Sequence, residues 1–261
     1  MRFSKAHAYG NDFLYVRRDL VAGHALDALA RAMCDRHTGA GADGLIVYDA
    51  IDEGASMQLF NADGGRAEVS GNGVRGLAAL ILHADDRASP TITIRSEGGV
   101  KRLTRAVRDG SRQTFRAAMG LPVDLDQVSI EAAGERLQAA VMNFGNPQCV
   151  VLGALPDQDR FHRLGPALEK HRLFAAGTNV EFAMVEAADR VRILIWERGV
   201  GPTLSSGTGS CAALIAAAAF GGAARAADVV APGGAQRVEW LDDNVYLTGW
   251  AEIVYDGEWM L

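Results

Sequence analysis

The chain of 261 residues is poor in the features that staple, localise or charge a protein. Its three cysteines, Cys34, Cys149 and Cys211, are odd in number and show no CxxC spacing, which argues against a disulfide framework or a structural zinc site. The histidines, His7, His24, His37, His83, His162 and His171, share no metal-ligand spacing with each other or with cysteine, so no metal is expected. No Lys/Arg-rich run occurs, and 26 Lys and Arg against 32 Asp and Glu leave a net charge of −6, which disfavours nucleic-acid and anionic-membrane surfaces. The longest apolar run, Ala212 to Phe220, is too short to cross a bilayer, and the opening MRFSKAHAYGNDFLYV lacks the apolar segment of a signal peptide. The expectation is a cytoplasmic protein with a small-molecule partner, no nucleic acid and no membrane.

What is present alternates between strand and helix patterns. Leu14–Val16, Leu45–Tyr48, Met57–Phe60, Thr91–Arg95 and Gln113–Ala117 read as strands, with Asp109 and Gly110 as a hairpin turn before the last. Cys149–Leu152, Val180–Val185, Arg190–Trp196, Arg237–Trp240 and Val245–Thr248 read the same way. Asp27–His37 and Phe161–His171 are amphipathic helices, the second with an expected bend or break at Gly165 and Pro166. Two further helices, after Asn72 and after Thr208, are apolar nearly all round and must be buried on every side. The fold class is α/β with mixed sheets.

These two helices belong to an internal repeat. SGNGVRGLAALI, starting at Ser70, aligns with SGTGSCAALI, starting at Ser206, at an offset of 206 − 70 = 136. Asn11 in YGN lies against Asn146 in FGN at 146 − 11 = 135, and Asp43 in GAD against Asn179 in GTN at 179 − 43 = 136. Collinear landmarks imply duplicated halves related by a pseudo-twofold axis, residues 1–117 completed by 250–261 and residues 118–249. In such a pair both bare helix starts can face one cleft. The first turn of a helix leaves N–H groups unpaired and carries about +0.5 charge, and glycine lets a ligand approach closely. Two such ends aimed at one carboxylate would stabilise charge developing on it when the neighbouring carbon loses a proton. The plainer role for Ser70 and Ser206 is helix N-capping.

The ordered set Asn61–Gly64 (NADG), Glu68–Arg75 (EVSGNGVR), Gly145–Pro147 (GNP), Thr178–Asn179, Glu197–Gly201 (ERGVG) and Gly207–Gly209 (GTG) resembles the diaminopimelate epimerase family across essentially the whole chain. The resemblance implies two pseudo-symmetric halves, each a mixed sheet curled round a central helix. It also implies a cofactor-independent amino-acid epimerase of lysine biosynthesis, converting LL-diaminopimelate to the meso form. In that family a cysteine at each helix start serves as base or acid on opposite faces of the α-carbon. Here those positions are Ser70 and Ser206, and the histidine of the family's GNPH is Gln148. A hydroxyl is a far weaker acid than a thiol and needs a neighbouring base, and an amide relays no proton. The Gln148 replacement is not explained by an engineered Cys→Ser trap and points to divergence, as does Gly76, where many members carry another cysteine.

Carried over by position, the catalytic set is Ser70, Ser206, Glu197 and Gln148. The substrate contacts are Asn11, Asn61, Gly71, Asn72, Asn146, Asn179, Glu197, Arg198, Gly207 and Thr208. An arginine suits the second carboxylate of an amino diacid, and a homodimer is left open as the assembly. The GxGxxG match at Gly71–Gly76 lacks a βαβ setting, so no dinucleotide cofactor is expected. Cys149 and Cys211 could substitute for the lost thiols, although buried packing is the commoner fate. Two other functions stay open: an isomerase or dehydratase acting on another amino or hydroxy acid, with Glu197 or a serine moving the proton, and a homologue that binds a diamino diacid without turnover.

Overall fold

The computed structural model describes residues 1–68 and 70–260; Val69, inside the Glu68–Arg75 motif, and the terminal Leu261 lie outside the described residues. The chain divides into two units, residues 1–117 with 249–261 and residues 118–248.

The first unit runs β1 (Arg2–Ala8), β2 (Asn11–Arg17), α1 (Leu26–Cys34), β3 (Gly44–Ile51), β4 (Gly54–Asn61), β5 (Arg66–Ala67), α2 (Gly71–Ile81), β6 (Thr91–Ser96), β7 (Gly99–Asp109) and β8 (Arg112–Gly120). The second runs β9 (Val123–Ala132), β10 (Glu135–Asn143), β11 (Pro147–Leu152), α3 (Gln158–Glu169), β12 (Asn179–Ala187), β13 (Arg190–Glu197), β14 (Gly201–Thr203), α4 (Gly207–Phe220), β15 (Ala226–Ala231), β16 (Gly234–Trp240) and β17 (Val245–Glu258). From Gly249 onward β17 belongs to the first unit.

In the first unit β1 pairs with β2 and β17, β2 runs parallel to β3, β4 pairs with β3 and runs parallel to β6, and β7 joins β6 to β8. Strand β8 pairs with β17, where the Ile253 N–H donates to the Ser111 carbonyl at 3.1 Å, so the sheet closes on itself. Helix α2 fills the interior, packing Val74, Leu77 and Ala78 against Tyr15, Ile46, Ile94, Leu103 and Phe115. The second unit repeats the order: β9, β10 and β11 antiparallel, β11 parallel to β12, β12 antiparallel to β13, β13 parallel to β15, then β16 and β17 antiparallel. Every residue of α4 from Gly209 to Ala217 is buried, as its unbroken apolar sequence requires.

The offset is kept by whole elements: β11 starts 147 − 11 = 136 residues after β2, β13 starts 190 − 54 = 136 after β4, and α4 starts 207 − 71 = 136 after α2. This is the α/β architecture of two curled mixed sheets, each round a central helix, that the sequence led us to expect.

The strands are apolar on both faces because a second helix covers the outside of each sheet. On β3, Ile46 packs with α2 while Leu45 and Val47 pack with α1. On β12, Val180 and Phe182 pack outward with α3 residues Phe161, Leu164 and Leu168, whereas Ala183 joins the α4 core. Since strand side chains alternate, Asn179 and Glu181 face α4 with Ala183.

Two helices differ from expectation. Helix α3 continues through Gly165 and Pro166 to Glu169. The carbonyl that Pro166 leaves without an amide donor belongs to exposed His162, where water can serve it. Gly165 answers a packing need, since a Cβ there would lie 2.5 Å from the Trp196 ring. Helix α1 stops at Cys34 rather than His37, because Asp35 Oδ1 accepts the N–H groups of His37 at 2.8 Å and Thr38 at 2.6 Å and turns the chain. The hairpin between β7 and β8 pairs Asp109 with Arg112, which makes Gly110 and Ser111 the loop, with Gly110 supplying φ 57°.

Candidate active site

In the first unit the start of α2 is capped by Ser70, whose Oγ accepts the Gly73 N–H at 3.2 Å. Gly71 is exposed, with open space where a Cβ would be. Asn72 is buried and donates through Nδ2 to Asn11 Oδ1 at 3.2 Å, and Asn11 donates to Asp43 Oδ2 at 2.7 Å. Asp43 belongs to a charge network in which Asp12 meets Lys5 Nζ at 2.9 Å and Arg36 Nη2 at 2.7 Å, while Arg36 also meets Asp43 at 2.9 Å. The network fixes the start of β2 and with it the Asn11 amide. Its cations hold the Asp12 carboxyl below the usual range although burial opposes them. Arg75 donates to Asn72 Oδ1 and lies 5.5 Å over the Tyr9 ring. Asn61 ends β4 with an exposed side chain, its backbone N–H donating to the Gly65 carbonyl at 2.8 Å.

Gly76 also has a local cause. A Cβ there would sit 2.0 Å from the Tyr15 hydroxyl, which donates to the Gly73 carbonyl at 3.0 Å. Tyr15 therefore occupies the volume that a side chain at position 76 would need.

In the second unit Ser206, 6% exposed, caps α4: its Oγ accepts the Gly209 N–H at 3.1 Å and its carbonyl accepts the Ser210 hydroxyl at 2.7 Å. Buried Gln236 braces the turn by donating to Ser205 and Ser210, both at 3.2 Å. The Ser206 hydroxyl also contacts the Glu197 carboxyl. Burial raises the pKa of Glu197, and this hydroxyl acts in the opposite direction. Ser206 thus accepts from the helix and stands beside a carboxyl.

Glu197 ends β13, and Arg198 follows it in a turn held by three bonds. The Arg198 N–H donates to Asn179 Oδ1 at 2.9 Å, the Gly199 N–H to Glu169 Oε1 at 2.9 Å, and Trp196 Nε1 to Glu169 Oε2 at 2.9 Å. Because Asn179 Oδ1 takes a backbone N–H, its Nδ2 points at Gln148, 3.3 Å away. The Gln148 oxygen must face that donor, which turns the Gln148 nitrogen to Glu181, 3.1 Å from Oε1 and 3.2 Å from Oε2. The Asn146 amide lies 2.5 Å from the Gln148 amide. Arg198, Asn179 and Gln148 therefore form one directed chain that ends on a carboxyl, with the Asn146 amide beside Gln148. Gly207 and Thr208 are half-buried at the start of α4.

Within units, the structure brings Asn11 to Asn72, and Asn146, Gln148 and Asn179 to one another. Sequence reasoning missed Glu181 and Glu169. Glu181 is the one charge in the apolar stretch VEFAMV, two residues after Asn179, and so on the same strand face; that was the available signal. Glu169 shows no local pattern. The cysteines pack in the cores: burial pushes the Cys34 thiol up to about 12 and raises that of Cys149 further, with Glu181 adding to the latter. Cys211 is fully buried among the apolar residues around α4.

The same fold occurs in solved structures described as epimerases. A structure described as a predicted epimerase from Pseudomonas aeruginosa matches with a TM-score of 0.75 over 100% of this chain and 99% of that one at 15% identity. A hydroxyproline epimerase from Agrobacterium vitis matches with 0.67 over 98% and 91% at 14% identity. Sequence narrows this class. The family model described as diaminopimelate epimerase matches residues 3–123 and 140–254, and the diaminopimelate epimerase of Desulforudis audaxviator is 39% identical over 281 aligned positions, covering 100% of this chain and 99% of that protein. The chain belongs to the diaminopimelate epimerase family.

Proposed function

We propose that the protein is a cofactor-independent amino-acid epimerase acting on LL-diaminopimelate, with Ser70 and Ser206 in the family's two proton-moving positions. The observation that carries the reading is the placement of Ser206 between the Gly209 N–H and the Glu197 carboxyl. A lone serine cannot take an α-proton near neutrality, but a serine that passes its own proton onward can. The substrate Cα–H bond breaks as its proton bonds to Ser206 Oγ, and the Ser206 hydroxyl proton moves to Glu197. The electron pair left on carbon is delocalised into the substrate carboxylate. A carboxyl whose pKa is raised by burial is a stronger base than an ordinary one, which suits it to receive that proton. Asn61, at 197 − 61 = 136, takes the place of Glu197 in the first unit, and an amide offers no such relay. Proton removal is therefore assigned to Ser206, and inversion is completed when the carbanion takes the Ser70 hydroxyl proton on its other face; Ser70 Oγ, which accepts the Gly73 N–H, then regains a proton from water.

Asn11, Asn72, Asn146, Asn179, Arg198 and the first-turn N–H groups of Gly71, Gly207 and Thr208 are assigned to the carboxylates and ammonium groups of the diacid, with Asn61 beside them. The setting is the cytoplasm, as monomer or homodimer. The test is incubation with LL-diaminopimelate in D₂O, followed by mass spectrometry and chiral chromatography. Deuterium at the α-carbon with meso product supports the reading, and neither appearing rejects it. A second reading, an isomerase of another amino or hydroxy acid, is favoured by the use of a carboxylate in place of a thiol. Exchange into such an acid with none into diaminopimelate would select it.

A further inference from the structure

Glu181 is fully buried on the α4-facing side of β12, directly beneath the helix start. A Cβ on Gly209 would lie 2.5 Å from Glu181 Oε1, so only the glycine separates this carboxyl from the capped turn. The first unit contains its own control. Strand pairing fixes the correspondence: β2 Phe13 pairs with Gly44 as β11 Gln148 pairs with Asn179, so position 13 corresponds to 148 and position 46 to 181 (181 − 46 = 135), one residue off the Asp43–Asn179 sequence alignment, and position 73 corresponds to 209 (209 − 73 = 136). There Ile46 lies beneath Gly73, 2.7 Å from its Cβ direction, with Phe13 beside it at 3.6 Å. The fold therefore fills this floor with an isoleucine and a phenylalanine where packing alone decides. In the second unit the same floor is a carboxyl and an amide, which costs desolvation that an apolar pair would avoid.

The surroundings of Glu181 supply amide donors and another acid. Gln148 from β11 donates to it. Glu197 from β13 is on the same face, since Glu181 pairs with Ile195 and side chains alternate. Cys149 from β11 is a neutral buried thiol. From α4 the Gly209 N–H is already taken by Ser206 Oγ and the Ser210 N–H by the Ser206 carbonyl, and the first turn carries no charged side chain. No cation faces it among the described residues.

We propose that Glu181 is a positioning residue that shares a single proton with Glu197: Glu181 stays a neutral carboxylic acid near neutral pH, so that Glu197 carries the one negative charge behind Ser206. Two carboxyls in a dry site do not both ionise readily, and the fully buried one keeps the proton. The direction of its titration agrees, burial and then the neighbouring Glu197 raising Glu181 well above the usual range. Gln148 serves as a fixed donor to the acid's oxygens, which an imidazole with its own charge would not.

The rate arm of the test rests on the proposed epimerase reading, while the spectroscopic arm needs no turnover. Infrared difference spectra of wild type against Glu181→Gln near pH 7 are expected to show a protonated carboxylic C=O stretch in wild type alone. If the two spectra do not differ in that band, Glu181 is ionised and the proposal falls, whatever the activity. In α-proton exchange, Glu181→Gln is expected to leave the acid limb of the pH profile in place and to lose the alkaline fall, because a second negative charge can no longer form. An acid limb moved to lower pH would mean that wild-type Glu181 was already charged, and would overturn the proposal. Glu181→Ile together with Gln148→Phe copies the first unit's floor without stranding the buried Gln148 amide, and guards against misfolding of the amide variant. It is expected to melt at a higher temperature than wild type, whereas a lower melting temperature would make the carboxyl a structural necessity and contradict the proposal.

Discussion

Replacing Ser206 with alanine separates the two bonds that its hydroxyl makes. The Gly209 N–H loses its acceptor at 3.1 Å, and with Ser206 only 6% exposed, water is poorly placed to substitute. Loss of a cap of this kind costs about 1–2 kcal/mol. For a chain of this size that is a fall in Tm of about 2–8 °C. The second bond adds a pH dependence whose sign is fixed. Glu197 has a folded-state pKa raised above its unfolded value, so it withdraws stability as pH rises through the interval between the two. The Ser206 hydroxyl limits that loss by favouring the ionised form. In Ser206→Ala the deficit should therefore be the cap alone at about pH 4 and larger at about pH 8. Urea titrations of wild type and variant across this range measure it. A variant as stable as wild type, or a deficit that does not grow with pH, would refute the reasoning.

Ser70→Ala removes the equivalent cap at a half-buried site and should cost about 0.5–1 kcal/mol by the same titration, with no added pH dependence from Glu197. Gly76→Ala drives a Cβ to 2.0 Å from the Tyr15 hydroxyl, so it should destabilise by about 1–3 kcal/mol, and Tyr15→Phe in the same chain should recover part of this in a double-mutant cycle. Glu169→Ala strips the acceptor from Trp196 Nε1 and the Gly199 N–H, and should raise KM for diaminopimelate more than it lowers kcat, because it loosens the turn bearing Arg198. Ser70→Cys together with Ser206→Cys should raise the epimerisation rate, read by chiral chromatography, since a thiol near a helix start ionises far more readily than a hydroxyl.

The fold was legible in the sequence because its strongest signals are those physics makes strict. Two helices with no polar face can exist only inside a curled sheet, and the spacing of their SGxG starts is the spacing at which whole elements repeat. Among the strands that were missed, β9 is exposed along most of its length and β7 places charged residues between its few apolar ones, whereas β1, β10 and β15 do have buried faces but fill them largely with alanine, a weak strand former. Of the bend or break expected in α3, the break does not occur, because Trp196 packs against Gly165 and the residue whose carbonyl loses its donor, His162, is exposed. The motif positions could be named from sequence, but their partners could not. That Ser206 contacts Glu197, that Asn179 orients Gln148, and that Gln148 points at Glu181 all depend on which strands lie side by side.

The central claim is that a carboxylate, acting through Ser206, does the work a thiol does elsewhere in the family. It is tested most directly by α-hydrogen exchange of LL-diaminopimelate in D₂O, followed by NMR, in wild type and Glu197→Gln, with binding of the unreacted diacid measured in parallel by calorimetry. The account predicts exchange reduced on the order of 10²-fold or more in the variant while the diacid still binds. Exchange at the wild-type rate in Glu197→Gln would contradict it.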